Sequence, residues 1–237
     1  MSKNVLIIGG GTGMGEAIAL SFAQQGWKVA VAGRRQEKLD AVAAQADGIL
    51  THTVDVGNRS QVEELFGWFS KEVGPLDIMV NCAGINVAKR TMEDLAPDDW
   101  DNLMRINTTG AYDCMRCALA DMRPRKDGII INISSVAGKR AVLLGGVAYN
   151  ASKFAMTALG TTVSEEVKDL GIRVTNIYPG EVNTPILDKR PVPPPEEHRQ
   201  SILQAEDVAA AVLMVAQLPP RAHIPELVIK PTKQSYV

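Results

Sequence analysis

Short runs of aliphatic and β-branched residues alternate with longer segments whose apolar positions recur every three or four residues, and the alternation persists from end to end. The runs predict strands over residues 4–8, 28–32, 49–54, 76–80, 129–134, 173–178 and 227–230. The helical spacing predicts helices over 15–25, 37–45, 60–72, 98–122, 149–169 and 206–217, with Gly26 and Gly171 placed to end two of them. Strands such as Val5-Leu6-Ile7-Ile8 are apolar on both faces, so helices must cover both sides of the sheet. The pattern therefore predicts one α/β domain over residues 1–237, doubly wound on a seven-stranded parallel sheet. The stretch 183–204, proline-rich from Pro191 to Pro195, breaks the rhythm and reads as a mobile excursion from this domain.

The first strand runs into Gly9-Gly10-Gly11-Thr12-Gly13-Met14-Gly15 and then a helix, so these glycines lie where a strand's carboxyl end meets a helix N-terminus. Backbone N–H groups at such a junction attract phosphate. No Gly-Lys-Ser/Thr follows, which speaks against an ATP-binding loop and for a dinucleotide pyrophosphate; a plain flexible turn is the alternative. At the end of the second strand stands Gly33-Arg34-Arg35, with no carboxylate to take a ribose diol and two guanidiniums suited to a 2′-phosphate. NADP(H) is expected over NAD(H), with Arg34 the first phosphate ligand and Arg35 the second.

The glycine spacing resembles that of the short-chain dehydrogenase/reductase family, and further motifs follow in that family's order through nearly the full length. Asp55-Val56 is similar to its adenine contact, and Asn81-Cys82-Ala83-Gly84 to the motif supporting the sheet behind the cofactor. Asn107-Thr108-Thr109-Gly110, Asn132-Ile133-Ser134-Ser135, Tyr149-Asn150-Ala151-Ser152-Lys153 and Tyr178-Pro179-Gly180-Glu181-Val182-Asn183-Thr184 complete the set. Ile8 stands where a Thr usually precedes the first glycine, and the stretch from Ser135 to Tyr149 through Leu143-Leu144-Gly145-Gly146 is slightly longer than the family's. The resemblance implies a Rossmann-type fold and a tetrad. Tyr149 would be the acid/base, Lys153 would lower its pKa and hold the ribose, Ser135 would orient substrate, and Asn107 would position a water in a proton relay. It implies cofactor contacts from Gly9, Gly11, Thr12, Gly13, Met14, Gly15, Asp55, Val56, Asn81, Ala83, Gly84, Pro179, Gly180, Val182 and Thr184, beside Tyr149, Lys153 and the two arginines. It also implies a homodimer or homotetramer built on the helices over 98–122 and 149–169.

The chemistry is plausible on its own terms. Tyr149 and Lys153 lie one helical turn apart on one face, so a fixed ammonium can act on a phenol whose ordinary pKa is about 10. Ser135 falls at the carboxyl edge of the sheet, where open α/β folds place ligands, whereas Ser134 points to the opposite face and reads as structural. A carbonyl/alcohol substrate is expected, walled by Leu143, Leu144, Ile186, Leu187 and the proline-rich segment. Two readings of other classes compete: a non-catalytic dinucleotide-binding regulator on the same fold, and a nucleotide-fold methyltransferase, which has no need of a Tyr–Lys pair.

Composition narrows the rest. With 25 basic against 27 acidic residues the net charge is −2, and no basic cluster suits nucleic acid. Apolar runs fall short of the roughly 20 residues that cross a bilayer, and the start lacks a signal-peptide pattern, so a cytoplasmic protein is expected. Three cysteines make no disulfide framework, and Cys114-Met115-Arg116-Cys117 sits inside a helix as packing. His52, His198 and His223 show no metal-ligand spacing. Lys139-Arg140 reads as a solvated pair, with an acidic substrate as the alternative partner.

Overall fold

The computed structural model describes residues 2–235. Its strands are β1 (Asn4–Ile8), β2 (Lys28–Gly33), β3 (Leu50–Thr53), β4 (Ile78–Asn81), β5 (Gly128–Ile133), β6 (Ile172–Pro179) and β7 (Glu226–Ile229). They form one parallel sheet in the order β3-β2-β1-β4-β5-β6-β7. The helices are α1 (Gly13–Gln24), α2 (Gln36–Ala43), α3 (Arg59–Glu72), α4 (Pro97–Met104), α5 (Gly110–Arg125), α6 (Val147–Val167), α7 (Glu196–Ser201) and α8 (Ala205–Gln217).

The pleat of β1 sorts the layers. Val5 and Ile7 join the core under α1, α2 and α8, while Leu6 and Ile8 join the one under α3, α5 and α6. All four are 0% exposed, and burial of each contributes roughly 1.5–3 kcal/mol. Local signals agree with these packing demands. Asn58 accepts a hydrogen bond from the Gln61 amide to cap α3, Gln204 and Asp207 form a reciprocal box at α8, and Gly26 and Gly171 both take φ of +71° behind α1 and α6. Among the described residues no helix is long and apolar enough to cross a membrane.

The chain departs from the sequence pattern at the helix expected over 98–122. It forms α4 and α5 joined by a π-helical turn, Arg105–Thr109, which places one extra residue in the turn around Asn107. Residues 183–204 contain a short 3₁₀ segment (Pro185–Lys189) and α7, and their two ends are fastened together. A parallel bridge links Val182 with Leu203, and the Asn183 amide donates to the Leu203 carbonyl at 2.7 Å.

Candidate active site

Strand order reverses between β1 and β4, so the turns after these two strands diverge and leave a crevice at the carboxyl edge. The turns also touch. Gly9 has φ of +85°, and a side chain there would stand 2.6 Å from the Ala83 nitrogen. A cleft of about 490 Å³ opens above them, lined by Gly9, Gly11, Thr12, Gly13, Met14, Arg34, Arg35, Asp55, Val56, Ala83, Gly84, Tyr149, Lys153 and Thr184. Thr12 precedes α1 in extended backbone without a side-chain cap, which leaves first-turn amides available to a phosphate. Arg34 and Arg35 line the far end, joined by Lys38 from the first turn of α2. Asp55 is the one carboxylate of the lining; it accepts from the Gly57 amide and lies 3.5 Å from Arg105.

Five of the expected cofactor contacts do not line this cleft. Gly15 does not line the cleft: a Cβ on it would stand 2.1 Å from the Gly9 carbonyl oxygen, so its role is the close approach of α1 to the turn. Asn81 is 1% exposed and lies beneath the cleft in β4. Pro179, Gly180 and Val182 line an adjoining cavity of about 170 Å³ instead.

Tyr149 lines both cavities, whereas Lys153 lines the first and Ser135 the second. Burial raises the Tyr149 pKa, and a hydrogen bond with Ser135 and the charge of Arg90 oppose that rise. Lys153 lies 5.7 Å from the Tyr149 ring centroid, donates to the Ile133 carbonyl at 3.0 Å, and has its own pKa brought down to about 8 by burial. Ser135 and Arg90 thus favour the phenolate, with the Lys153 ammonium beside the same ring. Ser134 donates to the Lys153 carbonyl and also lines both cavities, so it does not turn away from the site as strict alternation along the strand predicts.

Asn107 is fully buried and lines neither cavity. Its Oδ1 accepts from the Ile85 amide at 2.8 Å, and its Nδ2 donates to the Ile85 carbonyl and to Ser152 Oγ. The expected water-positioning group is engaged in holding the loop after β4. Of the predicted substrate walls, Leu144, Ile186 and Leu187 line the smaller cavity; Leu143 is 94% exposed and the proline run lines neither cavity, because the turn carrying Leu143 faces outward. Lys139 pairs with Glu226 at 2.6 Å.

Sequence reasoning passed over Lys38, Arg90 and Asn86. Lys38 had a readable signal, its place one turn into the helix after Gly33-Arg34-Arg35. Arg90 and Asn86 had none, since charged and polar loop residues ordinarily face water.

The short chain dehydrogenase profile matches residues 3–192. An uncharacterized oxidoreductase of Staphylococcus aureus (strain MW2) is 32% identical over 231 residues, covering 97% of each chain. A serine dehydrogenase solved in its closed form with NADP+ superposes with a TM-score of 0.89 at 32% identity, over 98% of this chain and 96% of that one. An alcohol dehydrogenase from Thermococcus sibiricus, solved with 5-hydroxy-NADP, gives 0.88 at 25% identity over 99% of both chains. With the glycine turn, the Ser135–Tyr149–Lys153 cluster and this full-length likeness agreeing, the chain belongs to the short-chain dehydrogenase family of oxidoreductases.

Proposed function

We propose that this chain is an NADP(H)-dependent oxidoreductase interconverting a carbonyl and an alcohol, with Tyr149 as general acid/base. The observation that carries the reading is the position of Tyr149 at the junction of a cleft suited to a dinucleotide and a smaller cavity containing Ser135. The cleft's fit rests on uncapped amides at α1, glycines that permit close backbone approach, and three cations at the far end. Arg34, Arg35 and Lys38 make no ion pair among the described residues, which suits a 2′-phosphate. The NADP-bound relatives support the same choice.

When bound, the nicotinamide supplies or accepts the hydride. The chain does the rest. Ser135 orients the substrate oxygen, Tyr149 gives it a proton or takes one, and Lys153 stabilises the charge on the phenol while reaching toward the ribose. Asn107 acts at one remove by fixing the loop at Ile85. The base of the 183–204 excursion covers the junction, as Thr184, Pro185, Ile186 and Lys189 line the cleft.

Titration by NADPH and NADH fluorescence tests the cofactor choice: NADPH binds more tightly, and equal or reversed dissociation constants overturn it. A panel of ketones, aldehydes and alcohols then supplies a turnover assay. Tyr149→Phe keeps the ring and the NADPH affinity while kcat falls about 10²- to 10⁴-fold. Full turnover in that variant would discard the acid/base assignment, whereas tight NADPH binding with no turnover of any panel compound by the unaltered protein would favour the regulator reading.

A further inference from the structure

Arg90 is a buried cation without an acidic partner among the described residues. Only 7% exposed, it lines the 170 Å³ cavity together with Ser135 and Tyr149. One terminal nitrogen donates to the Leu144 carbonyl at 2.9 Å and the other to the Lys189 carbonyl at 2.5 Å. Its Nε–H has no hydrogen-bond partner, and among the described residues it forms no ion pair. Two neutral carbonyls orient the guanidinium but leave its charge uncompensated in a place where buried charges are ordinarily paired.

The surrounding backbone is built to seat this side chain. Gly146 has φ of +80°, and a Cβ there would stand 2.5 Å from the Arg90 Cβ, so a larger residue would collide with the arginine stem. The Arg90 carbonyl accepts from the Val147 amide at the start of α6, and Leu144 supplies one of the acceptors. The segment between Ser135 and Tyr149 therefore holds Arg90 beside the tyrosine. Asn86 donates to the Gly145 carbonyl from the same loop and ties the two segments together.

The charged residues lining the cavity are Arg90, Arg190 and Glu181. Glu181 is already engaged, hydrogen-bonded by Arg190 and 2.9 Å from His198. Two guanidiniums against one carboxylate leave a single positive charge, which matches a monoanion better than a phosphate dianion. The volume equals roughly six waters of bulk liquid, the scale of a short hydroxy acid.

We propose that the alcohol or ketone taken by this site carries a carboxylate, and that Arg90 is the residue that binds it. A guanidinium suits that role because its planar fork can place parallel N–H donors on both carboxylate oxygens. With the carboxylate held by Arg90, the hydroxyl a few bonds away lies toward Ser135 and Tyr149. The inference rests on the oxidoreductase reading above for what happens to that hydroxyl, but not for the binding of the acid itself.

The test compares 3-hydroxybutyrate with its neutral isostere 3-hydroxybutanamide, following NADP+ reduction, in the wild type and in Arg90→Gln and Arg90→Lys. The wild type favours the acid in kcat/KM by about 100-fold or more, since a site built around a charge rejects the analogue lacking it. In Arg90→Gln that ratio collapses toward one, and in Arg90→Lys part of it survives. The ratio is read because any effect of Arg90 on Tyr149 alters both substrates alike. Unchanged NADPH affinity and circular dichroism establish that the variants fold. Calorimetric titration of the NADP+-loaded protein with butyrate and butanamide supplies a readout free of turnover. Butyrate binding that depends on Arg90 without oxidation of either alcohol would sustain the anion site and reject the oxidoreductase reading. Oxidation without preference for the acid, or no Arg90-dependent butyrate binding, overturns the inference.

Discussion

Lys153 pays for its position in the folded state. Its ammonium is 4% exposed and carries no carboxylate partner among the described residues, so burial lowers its pKa from 10.5 to about 8. A base whose pKa falls on folding is destabilising while protonated, and the displacement corresponds to about 3 kcal/mol below the folded pKa. Between about pH 8 and 10.5 the unfolded chain binds the extra proton, so stability contributed by this group rises with pH through that window. Lys153→Met is therefore expected to stabilise the cofactor-free protein near neutral pH. The gain is about 2 kcal/mol once loss of the donor to the Ile133 carbonyl is offset, and it shrinks as pH rises. Urea unfolding of both proteins across that range measures it; a variant no more stable than wild type at neutral pH contradicts the expectation. The same residue shows how far sequence reaches. A Tyr and a Lys four apart on a helix announce their common face, but which neighbours act on the phenol depends on loops folded from elsewhere. Hence Ser135 was readable and Arg90 was not.

At the scale of elements, the π-helical turn between α4 and α5 turns Asn107 inward to hold Ile85. Removing the side chain in Asn107→Ala leaves the Ile85 amide without its acceptor, at about 1–3 kcal/mol of stability. Amide exchange at Ile85 should accelerate in that variant and stay slow in Asn107→Asp, which keeps an acceptor oxygen; equal exchange in all three would show that the loop is held by other contacts. The turn was invisible in the pattern because an apolar stripe tolerates one added residue without losing its face, so residues 98–122 read as one regular helix. The strands were easier. Six of the seven begin at the residue their apolar runs indicate or one away, and four of these, β1, β2, β5 and β6, are buried on both faces, whereas the partly exposed edge strand β3 is shorter than its run.

For the whole molecule, α4 and α5 both pack on α6 and leave Trp100 39%, Tyr112 46% and Phe154 43% exposed. Large aromatic surface gathered on neighbouring helices is the kind that association buries. Light scattering at micromolar concentration should give a multiple of 25.5 kDa, and Phe154→Glu should reduce it; a single 25.5 kDa species in the unaltered protein would refute association through these helices. The bridge between Val182 and Leu203 acts at this scale as well. Because the excursion leaves and rejoins the body at one neck, its interior can lengthen, shorten or change composition without altering strand register. Divergence among related chains can then proceed as exchange of an insert: new substrates are acquired by rewriting residues 190–202, while the framework that binds the dinucleotide, residues 184–189 included, is inherited unchanged.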